Sequence, residues 1–303
     1  MRKIQKDSLG DRQKQYERAQ EHYLVPKMPF IVRVDGKAFH TYTRGFEKPF
    51  DEVMGNAMKR TMKSLCEDIP GAVFGYTQSD EITVICKYTD RIKSQAWFGG
   101  RVEKIIAITA SKATKYFNKY FSEEVNSMHN KRWIELRNIA YDTDIMKNVN
   151  TQIIADRLAE RYADKEIKKI RFMDAYLRKM GNAEFDSRVF NIPEWDCINN
   201  VIWRQQDAIR NSVEAVGQAN FSAKELNKVN VVQIREKLLN EKSISWEYDF
   251  TPYQKYGACC YREYVDKVVR GNTVTRTLWV VDEWRVIQSD REWFSRITTL
   301  LED

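Results

Sequence analysis

Two short acidic stretches contain the residue types and spacing that could do chemistry. The stretch 30–40 carries Asp35 at the end of an apolar run, and the stretch 76–82 carries Asp80 and Glu81 at the start of another. Carboxylates are the hard oxygen ligands that Mg²⁺ prefers, and strands can hold such ligands rigidly. If the two stretches meet in space, we expect the chain to hold Mg²⁺ and a nucleoside triphosphate.

The first stretch places Asp35 directly before a glycine. Asp35 offers a carboxylate to a cation, and Gly36 offers a backbone carbonyl. The amides that follow could surround a triphosphate, because successive N–H groups form concave anion sites. The residues of that segment are Gly36, Lys37, Ala38, Phe39 and His40. An Asp-Gly pair after a strand is also an ordinary turn, which explains the pair better when it is taken alone.

The second stretch, Ser79-Asp80-Glu81, lies between two predicted strands. A hairpin turn would place Asp80 at the same edge of the sheet as Asp35. Glu81 would point to the opposite face, because side chains alternate along a strand. Asp80 is therefore the better metal ligand, and Glu81 is a second ligand or an outer group. Taken alone, the stretch is better explained as a solvated acidic turn.

The two stretches together predict a reaction type. Two carboxylates on separate strands can bridge two Mg²⁺ ions about 3.5–4 Å apart. Such a pair holds the attacking and leaving oxygens of an in-line phosphoryl displacement, so that no His, Cys or Ser nucleophile is needed.

Basic residues flank the proposed site in sequence and could bind phosphates or an RNA backbone. They are Lys37, Arg44, Lys48, Arg101 and Lys104. Each one alone is better explained as a solvated surface charge, and Lys104, on the exposed side of a predicted helix, is the weakest candidate.

A polar helix segment later in the chain is a further candidate. Arg204 and Asp207 are i,i+3 neighbours there, and so are Asp207 and Arg210. One interpretation is a salt-bridged helix face with Trp203 in the core. The other is a polar patch, completed by Asn211, that faces the end of a nucleic acid.

Composition and charge narrow the class of protein. The chain has 303 residues, 43% of them hydrophobic, and a net charge of +7, which fits a polyanionic partner without being specific for one. Its five cysteines lack zinc-ligand spacing, so we expect reduced thiols in a cytoplasmic protein. The three histidines are scattered, which does not favour a zinc hydrolase. We expect neither a signal peptide nor a membrane span.

Residue periodicity predicts the elements that must position these residues. The first half of the chain predicts a helix at 7–23, a strand at 29–35, a helix at 51–67, hairpin strands at 72–77 and 81–88, and a helix at 94–121. The first helix would begin at Asp7 or Ser8. Helices alternating with short strands predict an α/β or α+β sandwich, with helices on one face of an antiparallel-containing sheet.

The second half begins with a charged helical pattern at 125–180, where residues 129–180 hold 12 basic against 8 acidic residues. The later elements are a strand at 185–190, a helix at 197–217, a helix at 222–240, and strands and loops closed by a short helix near 290–302. Ser222 and Glu225 would form a capping box for the helix at 222–240.

A series of ordered segments resembles those of one known family. They are Ser8–Arg12, Arg33–His40, Phe46–Pro49, Tyr76–Glu81, Trp97–Phe98, Phe185–Phe190, Trp203–Asn211, Phe221–Leu226 and Tyr256–Gly257. Together they resemble the tRNA-histidine guanylyltransferase family and its guanylyltransferase-like relatives, which are 3′-to-5′ nucleotide-adding enzymes. The likeness covers most of residues 5–125 and 183–262.

This resemblance implies a fold, a site and a reaction. The fold would be an α+β, palm-like, antiparallel-containing sheet with helices packed on it, a helical insertion and a C-terminal α/β extension. Asp35, Asp80 and the Gly36 carbonyl would hold two Mg²⁺, and Glu81 matches a third acidic position. Residues 35–40 and Ser79-Asp80 match nucleotide-binding segments, and Lys48 matches a lysine near the nucleotide.

The implied reaction has three steps. ATP or GTP activates an RNA 5′-monophosphate, the 3′-hydroxyl of an incoming nucleoside triphosphate attacks the activated phosphate, and pyrophosphate leaves. The implied partner is tRNA, and family members usually assemble as tetramers.

Two features depart from the family pattern. Eukaryotic guanylyltransferases carry a His and a paired Asn-Asn after Trp-Arg-Gln, where this chain has Ile209-Arg210-Asn211-Ser212. That difference resembles the bacterial, archaeal or phage relatives, which repair 5′-truncated tRNAs. The second departure is the long stretch at 126–182, which could contact RNA, contact another subunit or act as a spacer.

We therefore predict a nucleotidyltransferase acting on an RNA 5′ end, with three regions. They are a catalytic core at 1–125, a basic helical insertion at 126–182, and the remainder of the core with an RNA- or nucleotide-contacting region at 183–303. The alternatives are a nucleotidyl cyclase or 5′-to-3′ polymerase, against which the segment 203–211 argues, and a non-catalytic RNA-binding relative, against which the intact acidic residues argue.

Overall fold

The computed structural model describes residues 8–88, 93–146, 173–269 and 272–299. The strands are β1 (Phe30–Gly36), β2 (Ala72–Gln78), β3 (Glu81–Cys86), β4 (Phe185–Asn191), β5 (Ala258–Val269) and β6 (Asn272–Asp282). The helices are α1 (Leu9–Arg18), α2 (Phe39–Tyr42), α3 (Glu52–Asp68), α4 (Val102–Met146), α5 (Cys197–Asn220), α6 (Val231–Lys242), α7 (Pro252–Tyr256) and α8 (Arg291–Thr299). Residues 173–179 form a further helical segment.

One antiparallel sheet organises the fold, and its strand order is β4-β1-β3-β2-β5-β6. The predicted α+β class with helices packed on an antiparallel sheet is confirmed. The C-terminal strands continue this sheet, because β5 pairs with β2 and β6 pairs with β5. The strand that carries Asp35 therefore lies in the interior of the sheet, between β3 and β4.

Helices cover both faces of the sheet, whereas the sequence analysis predicted helices on one face. On the first face, α3 and α4 pack against fully buried residues such as Val32. On the second face, α5 and α8 pack against Ile31 and Ile85, which are equally buried. The prediction was wrong because Ile31 and Ile85 make the second face of β1 and β3 apolar at the end of the strands away from the acidic turn, and α5 and α8 cover that apolar part.

The apolar core fixes the strand that carries the site. Met58 and Met62 of α3 and Phe117 of α4 are fully buried in the cluster beneath β1. Burying a side chain of this size contributes about 1.5–3 kcal/mol relative to leaving it exposed. Met58 and Met62 thus lie on the packing face of α3, which holds β1 from one side.

Several predicted boundaries differ from the structure. α4 begins at Val102 instead of residue 94, because a short 3₁₀ turn at Trp97–Gly100 with positive φ angles at Phe98 and Gly99 comes first. α1 is shorter than predicted and is capped by Ser8, whose side chain accepts a hydrogen bond from the Asp11 amide. These differences move no residue of the proposed site.

The helix predicted at 222–240 begins later, at Val231. Ser222 and Glu225 do exchange the hydrogen bonds of a capping box, but the turn that they close is not continued as a helix. The true cap is Asn230, which forms a second capping box with Gln233. Two successive capping signals were present, and the helix begins at the second.

We expect Asn230→Ala to lower the free energy of unfolding by about 1 kcal/mol, because it removes the side chain that satisfies the Gln233 amide. Chemical denaturation monitored by circular dichroism would measure the change. Asn227→Ala is the matched control, since Asn227 is exposed in the preceding turn and outside the capping box. Equal losses in the two variants would contradict the assignment of Asn230 as the cap.

The predicted division of the chain at residue 125 falls inside α4, which continues to Met146. Met173 and Tyr176 belong to the same core cluster as Val125. The division into three regions stays a prediction, and residues 147–172 of the proposed insertion lie outside the described residues.

Two further observations concern the cysteines and the hydropathy of the helices. All five cysteines are buried and free of disulfide bonds. Among the described residues, no helix is long and apolar enough to cross a membrane.

Candidate active site at the strand ends

The two acidic stretches meet at one end of the sheet. β1 pairs with β3 in a register that places Asp35 opposite Glu81, and the Gly36 amide donates a hydrogen bond to the Asp80 carbonyl at 3.1 Å. The loop between β2 and β3 has only two residues, Ser79 and Asp80, and Ser79 adopts a left-handed conformation with φ of 50°. This tight hairpin turn holds Asp80 beside the end of β1.

Asp35 and Asp80 share an environment that disfavours two negative charges. Burial raises the pKa of Asp80, and repulsion by Asp35 raises it further. Burial also raises the pKa of Asp35, with a contribution from Asp186, and the charges of Arg188, Arg33 and Arg204 oppose that shift. Neither Asp35 nor Asp80 forms an ion pair within the described parts of the chain. Two adjacent carboxylates that form no ion pair are a donor set that a divalent cation fits.

A metal site here would rely on few protein ligands. Among the described residues, no three His, Cys, Asp or Glu side chains are grouped closely enough to hold an ion. The available donors are the two carboxylates of Asp35 and Asp80 and the adjoining Gly36 carbonyl. Mg²⁺ commonly binds through one or two carboxylates and completes its shell with water and substrate phosphates.

Glu81 occupies a different position from Asp80. Because it lies opposite Asp35 in an antiparallel pair, the two side chains share the second face of the sheet. Glu81 is only 8% exposed and accepts a hydrogen bond from Arg204 Nε at 2.7 Å. Burial raises its pKa, and the charge of Arg204 opposes that shift. The carboxylate of Glu81 is thus already neutralised by a helix on the second face.

The loop after β1 is pinned by one aromatic ring. Phe39 is buried and its ring packs on Tyr42, Phe117 and Phe185, at centroid distances of 4.8, 5.5 and 5.1 Å. Ala38 adopts a left-handed conformation with φ of 55°. In the part of the chain that the structure describes, the amides of Ala38, Phe39 and His40 have no acceptor. This arrangement presents free N–H groups, which can bind phosphate oxygens.

A cavity of about 900 Å³ opens beside this loop. The predicted site residues that line it are Gly36, Ala38, Phe39, His40, Lys48, Ser79, Asp80 and Asn211. Asn56 and Lys59 of α3 form one wall, and Thr251, Tyr253 and Gln254 from the region of α7 form another. The structure therefore brings together the acidic turn, the loop after β1 and Lys48, as expected from the sequence.

The wall at α7 was missed by the sequence analysis. It is fixed to the sheet because the Tyr76 hydroxyl donates to the Tyr256 carbonyl at 2.8 Å. A local signal was present, since Thr251 and Gln254 form a capping box with proline at the first helical position. That signal predicts a short helix but does not show where it packs.

Other predicted phosphate-binding residues lie outside the cavity lining. Lys37 pairs with Glu184 at 2.6 Å. Arg101 pairs with Glu21 at 2.9 Å, and the Lys104 ammonium lies 4.9 Å from the Phe98 ring centroid. Arg44 is exposed. The roles of these residues stay predictions.

The polar segment of α5 contains the predicted salt bridges but differs from the prediction in the position of Trp203. The salt bridges are present, with Arg204 pairing with Asp207 at 3.1 Å and Arg210 pairing with the same carboxylate. Trp203, however, is 52% exposed, so its predicted place in the core is wrong. The core positions are taken by neighbouring residues on the buried face of the helix. Arg204 itself is 8% exposed, so a direct RNA contact would require it to leave Glu81.

Asp186 is a second residue that the sequence analysis did not assign to the site. It lies opposite Asp35 in the pairing of β1 with β4, and its charge contributes to the raised pKa of Asp35. Its side chain is exposed and forms an ion pair with Arg188 at 3.4 Å. The partner of β1 on this side comes from a distant part of the chain, so no local pattern points to the contact.

We expect Gly36→Ala to reduce nucleotide addition about a hundredfold, because small displacements of binding groups are costly in well-aligned sites. A Cβ atom at Gly36 would overlap the Phe39 ring, which anchors the loop with the free amides. Steady-state kinetics and calorimetric titration with ATP would measure the effect. Gly10→Ala is the control, since its Cβ would have only the Ser8 hydroxyl nearby, at 3.9 Å. Unchanged ATP affinity in Gly36→Ala would contradict a binding role for this loop.

Several known proteins are similar to this chain in sequence or in fold. Residues 10–193 match the family model described as Thg1, tRNAHis guanylyltransferase. A solved bacterial tRNA(His) guanylyltransferase-like protein in complex with ATP has 34% identity and a TM-score of 0.70, with 96% of this chain and 99% of that chain covered. A structure of such a bacterial protein with GTP has 31% identity, a TM-score of 0.67 and the same coverage.

Eukaryotic and viral relatives are more distant or less completely matched. The tRNA(His) guanylyltransferase of Saccharomyces cerevisiae is 28% identical over 48% of this chain and 60% of its own length. An uncharacterized protein of Acanthamoeba polyphaga mimivirus is 27% identical over 83% of this chain and 76% of its own length. The structural match to the Saccharomyces cerevisiae enzyme has a TM-score of 0.53 at 18% identity, which supports the fold alone.

These matches and the antiparallel sheet with paired carboxylates define the class of protein as a nucleotidyltransferase. The chain belongs to the tRNA-His guanylyltransferase family. The predicted greater likeness to bacterial guanylyltransferase-like proteins is confirmed by the higher identity and TM-score of those structures.

Proposed function

We propose that this protein is a 3′-5′ nucleotidyltransferase that adds nucleotides, typically G, to the 5′ end of tRNA. The observation that carries the proposal is the meeting of Asp35 and Asp80 beside a cavity whose rim presents free backbone amides. The bacterial relatives solved with ATP and with GTP support both nucleotides as substrates. The natural task would be repair of tRNA 5′ ends or guanylylation of tRNA-His.

Each group has a defined task in this proposal. The amides of Ala38, Phe39 and His40 bind phosphate oxygens of the nucleotide, and Lys48 and Ser79 at the cavity wall orient it. Asp35, Asp80 and the Gly36 carbonyl would hold two Mg²⁺, which supply Lewis-acid stabilisation of phosphoryl charge when bound. Glu81, held by Arg204, maintains the position of β3 next to Asp35.

The chemistry proceeds by in-line displacement. The RNA 5′-monophosphate attacks the α-phosphorus of ATP or GTP, which releases pyrophosphate and leaves the RNA 5′-phosphate joined to AMP or GMP. The 3′-hydroxyl of the incoming nucleotide then attacks the RNA 5′-phosphorus and displaces AMP or GMP. The protein contributes positioning and electrostatic stabilisation, which is what phosphoryl transfer demands of its catalyst. A cytoplasmic enzyme that assembles as a homotetramer is the form we propose, by analogy with the family.

Mapped nucleotide addition tests the proposal. The protein would be incubated with Mg²⁺ and all four nucleoside triphosphates, with either a 5′-truncated, 5′-monophosphorylated tRNA or full-length tRNA-His. Template-matched addition to the truncated tRNA would support a repair-type 3′-5′ polymerase, and a single G added to tRNA-His would support a dedicated guanylyltransferase. Addition at the RNA 3′ end, or to neither RNA, would overturn the proposal.

A further inference from the structure

A charged surface adjoins the carboxylates on the second face of the sheet. Asp35 and Arg33 lie two residues apart on β1 and share that face, because side chains alternate along a strand. In the pairing with β4, Asp35 lies opposite Asp186 and Arg33 lies opposite Arg188. The two arginines therefore form a row directly next to the row that contains the metal-binding carboxylate.

Trp203 stands over this surface from α5. Its side chain is 52% exposed, although residues on either side of it in the helix are buried. The guanidinium of Arg33 lies 5.9 Å from its ring centroid, and that of Arg204 lies 4.6 Å away. Because Arg204 is held by Glu81 and Asp207, the ring is supported from a rigid base. A large aromatic ring thus remains half open to solvent beside the site.

Arg33 and Arg188 on this surface are available to bind an anion. Among the described residues, Arg33 forms no ion pair, and its closest aromatic contact is Trp203. Arg188 pairs with Asp186 at 3.4 Å, and both side chains are at least half exposed, so the pair is weak and screened. A phosphate could therefore bind both guanidinium groups without breaking a buried interaction.

The cavity and this surface approach Asp35 from different directions. The cavity lies beyond the strand ends and is lined by Gly36, the following loop and Asp80. Arg33, Arg188 and Trp203 do not line it and lie on the sheet face before the strand ends. Two substrates that react at Asp35 and Asp80 would need two such approaches, one for the nucleotide and one for the RNA.

We infer that Trp203, Arg33 and Arg188 form the platform that receives the 5′-terminal nucleotide of the RNA. The terminal base stacks on the Trp203 ring and the terminal phosphates lie on the arginines, which delivers the 5′-phosphate to Asp35. Exposed aromatic rings flanked by guanidinium groups suit unpaired nucleotides, because every base has a face that can stack. This inference rests on the proposed function and makes Trp203 a positioning residue.

The test compares RNA binding with nucleotide binding. Fluorescence anisotropy would measure the Kd of a 5′-monophosphorylated, 5′-truncated tRNA for the wild-type protein, Trp203→Ala, Trp203→Phe and Arg188→Gln. We expect roughly tenfold weaker binding in Trp203→Ala and near-wild-type binding in Trp203→Phe, which keeps a stacking ring. Arg188→Gln should lower the slope of log Kd against log salt by about one. The affinity for ATP should be unchanged in all variants.

Trp195→Ala is the matched control, since Trp195 lies just before the same helix and is 72% exposed. It follows the end of β4 that pairs with Phe30, at the other end of β1 from Asp35. In steady-state assays, Trp203→Ala should raise the KM for RNA and leave the KM for the nucleotide unchanged. RNA affinity that falls equally in Trp195→Ala, or that stays at the wild-type value in Trp203→Ala, would overturn this inference while wild-type addition persists. Absence of addition by the wild-type protein would instead overturn the proposed function.

Discussion

Asp35→Asn should reduce nucleotide addition by at least about a thousandfold while the protein stays folded. The substitution keeps the size of the side chain but removes one of the two carboxylates available to a divalent cation. Metal-assisted charge stabilisation contributes several kcal/mol to a phosphoryl transfer, and each 1.36 kcal/mol corresponds to a factor of about ten in rate. Single-turnover addition to a 5′-monophosphorylated tRNA would measure the loss.

The folded state should tolerate this substitution. Asp35 and Asp80 repel each other in a partly buried site, as the raised pKa of Asp80 indicates. Removing one charge should therefore leave the Tm measured in EDTA unchanged or higher. Asp174→Asn serves as the control, because Asp174 is exposed and, within the described ranges, pairs only with Arg178 on its own helical segment. Full activity in Asp35→Asn would overturn the assignment of the site.

Arg204→Met should lower the free energy of unfolding by about 3–5 kcal/mol, which is the usual cost of breaking a buried ion pair by removing one partner. Glu81 would be left buried without a cation, since both side chains of the pair are about 10% exposed or less. Urea denaturation at neutral pH would measure the loss. The variant should also lose activity, because β3 carries Glu81 directly next to Asp80.

Two further variants distinguish the cost of leaving the Glu81 carboxylate buried without its partner from other effects of replacing Arg204. Arg210→Gln removes an exposed partner of the same Asp207 carboxylate and should cost less than about 1 kcal/mol. Combining Glu81→Gln with Arg204→Met removes both charges and should restore part of the stability that the single Arg204 variant loses. Equal stability of Arg204→Met and Arg210→Gln would show that the Glu81–Arg204 pair is not a stabilising contact.

The proposed platform changes how the polar segment of α5 is interpreted. RNA contacts were predicted for Arg204 and its charged neighbours, whereas in the structure Arg204 is hydrogen-bonded to Glu81. The exposed member of the segment is Trp203, which the sequence pattern assigned to the core. On α5, the buried Arg204 thus supports the sheet, and the exposed Trp203 ring is available for binding.

Much of the site could be predicted from local patterns. Strand alternation located β1 and β3, and the two-residue turn between β2 and β3 required Asp80 to lie at a strand end. The Asp-Gly pair marked the end of β1. Of the amides expected to bind phosphate, those of Ala38, Phe39 and His40 are available, whereas those of Gly36 and Lys37 donate to the Asp80 and Glu184 carbonyls. These features depend on residues close together in the chain, so the sequence by itself determined the elements, the acidic pair and the family.

Only the tertiary structure decided what surrounds that pair. Glu81 meets an arginine 123 residues away, and Asp35 meets Asp186 on a strand that joins β1 after a long excursion of the chain. The helices on the second face were likewise set by packing. The physical reason is that side-chain periodicity reports which residues are buried but not which partner buries them. Contacts between distant segments therefore had to come from the folded molecule.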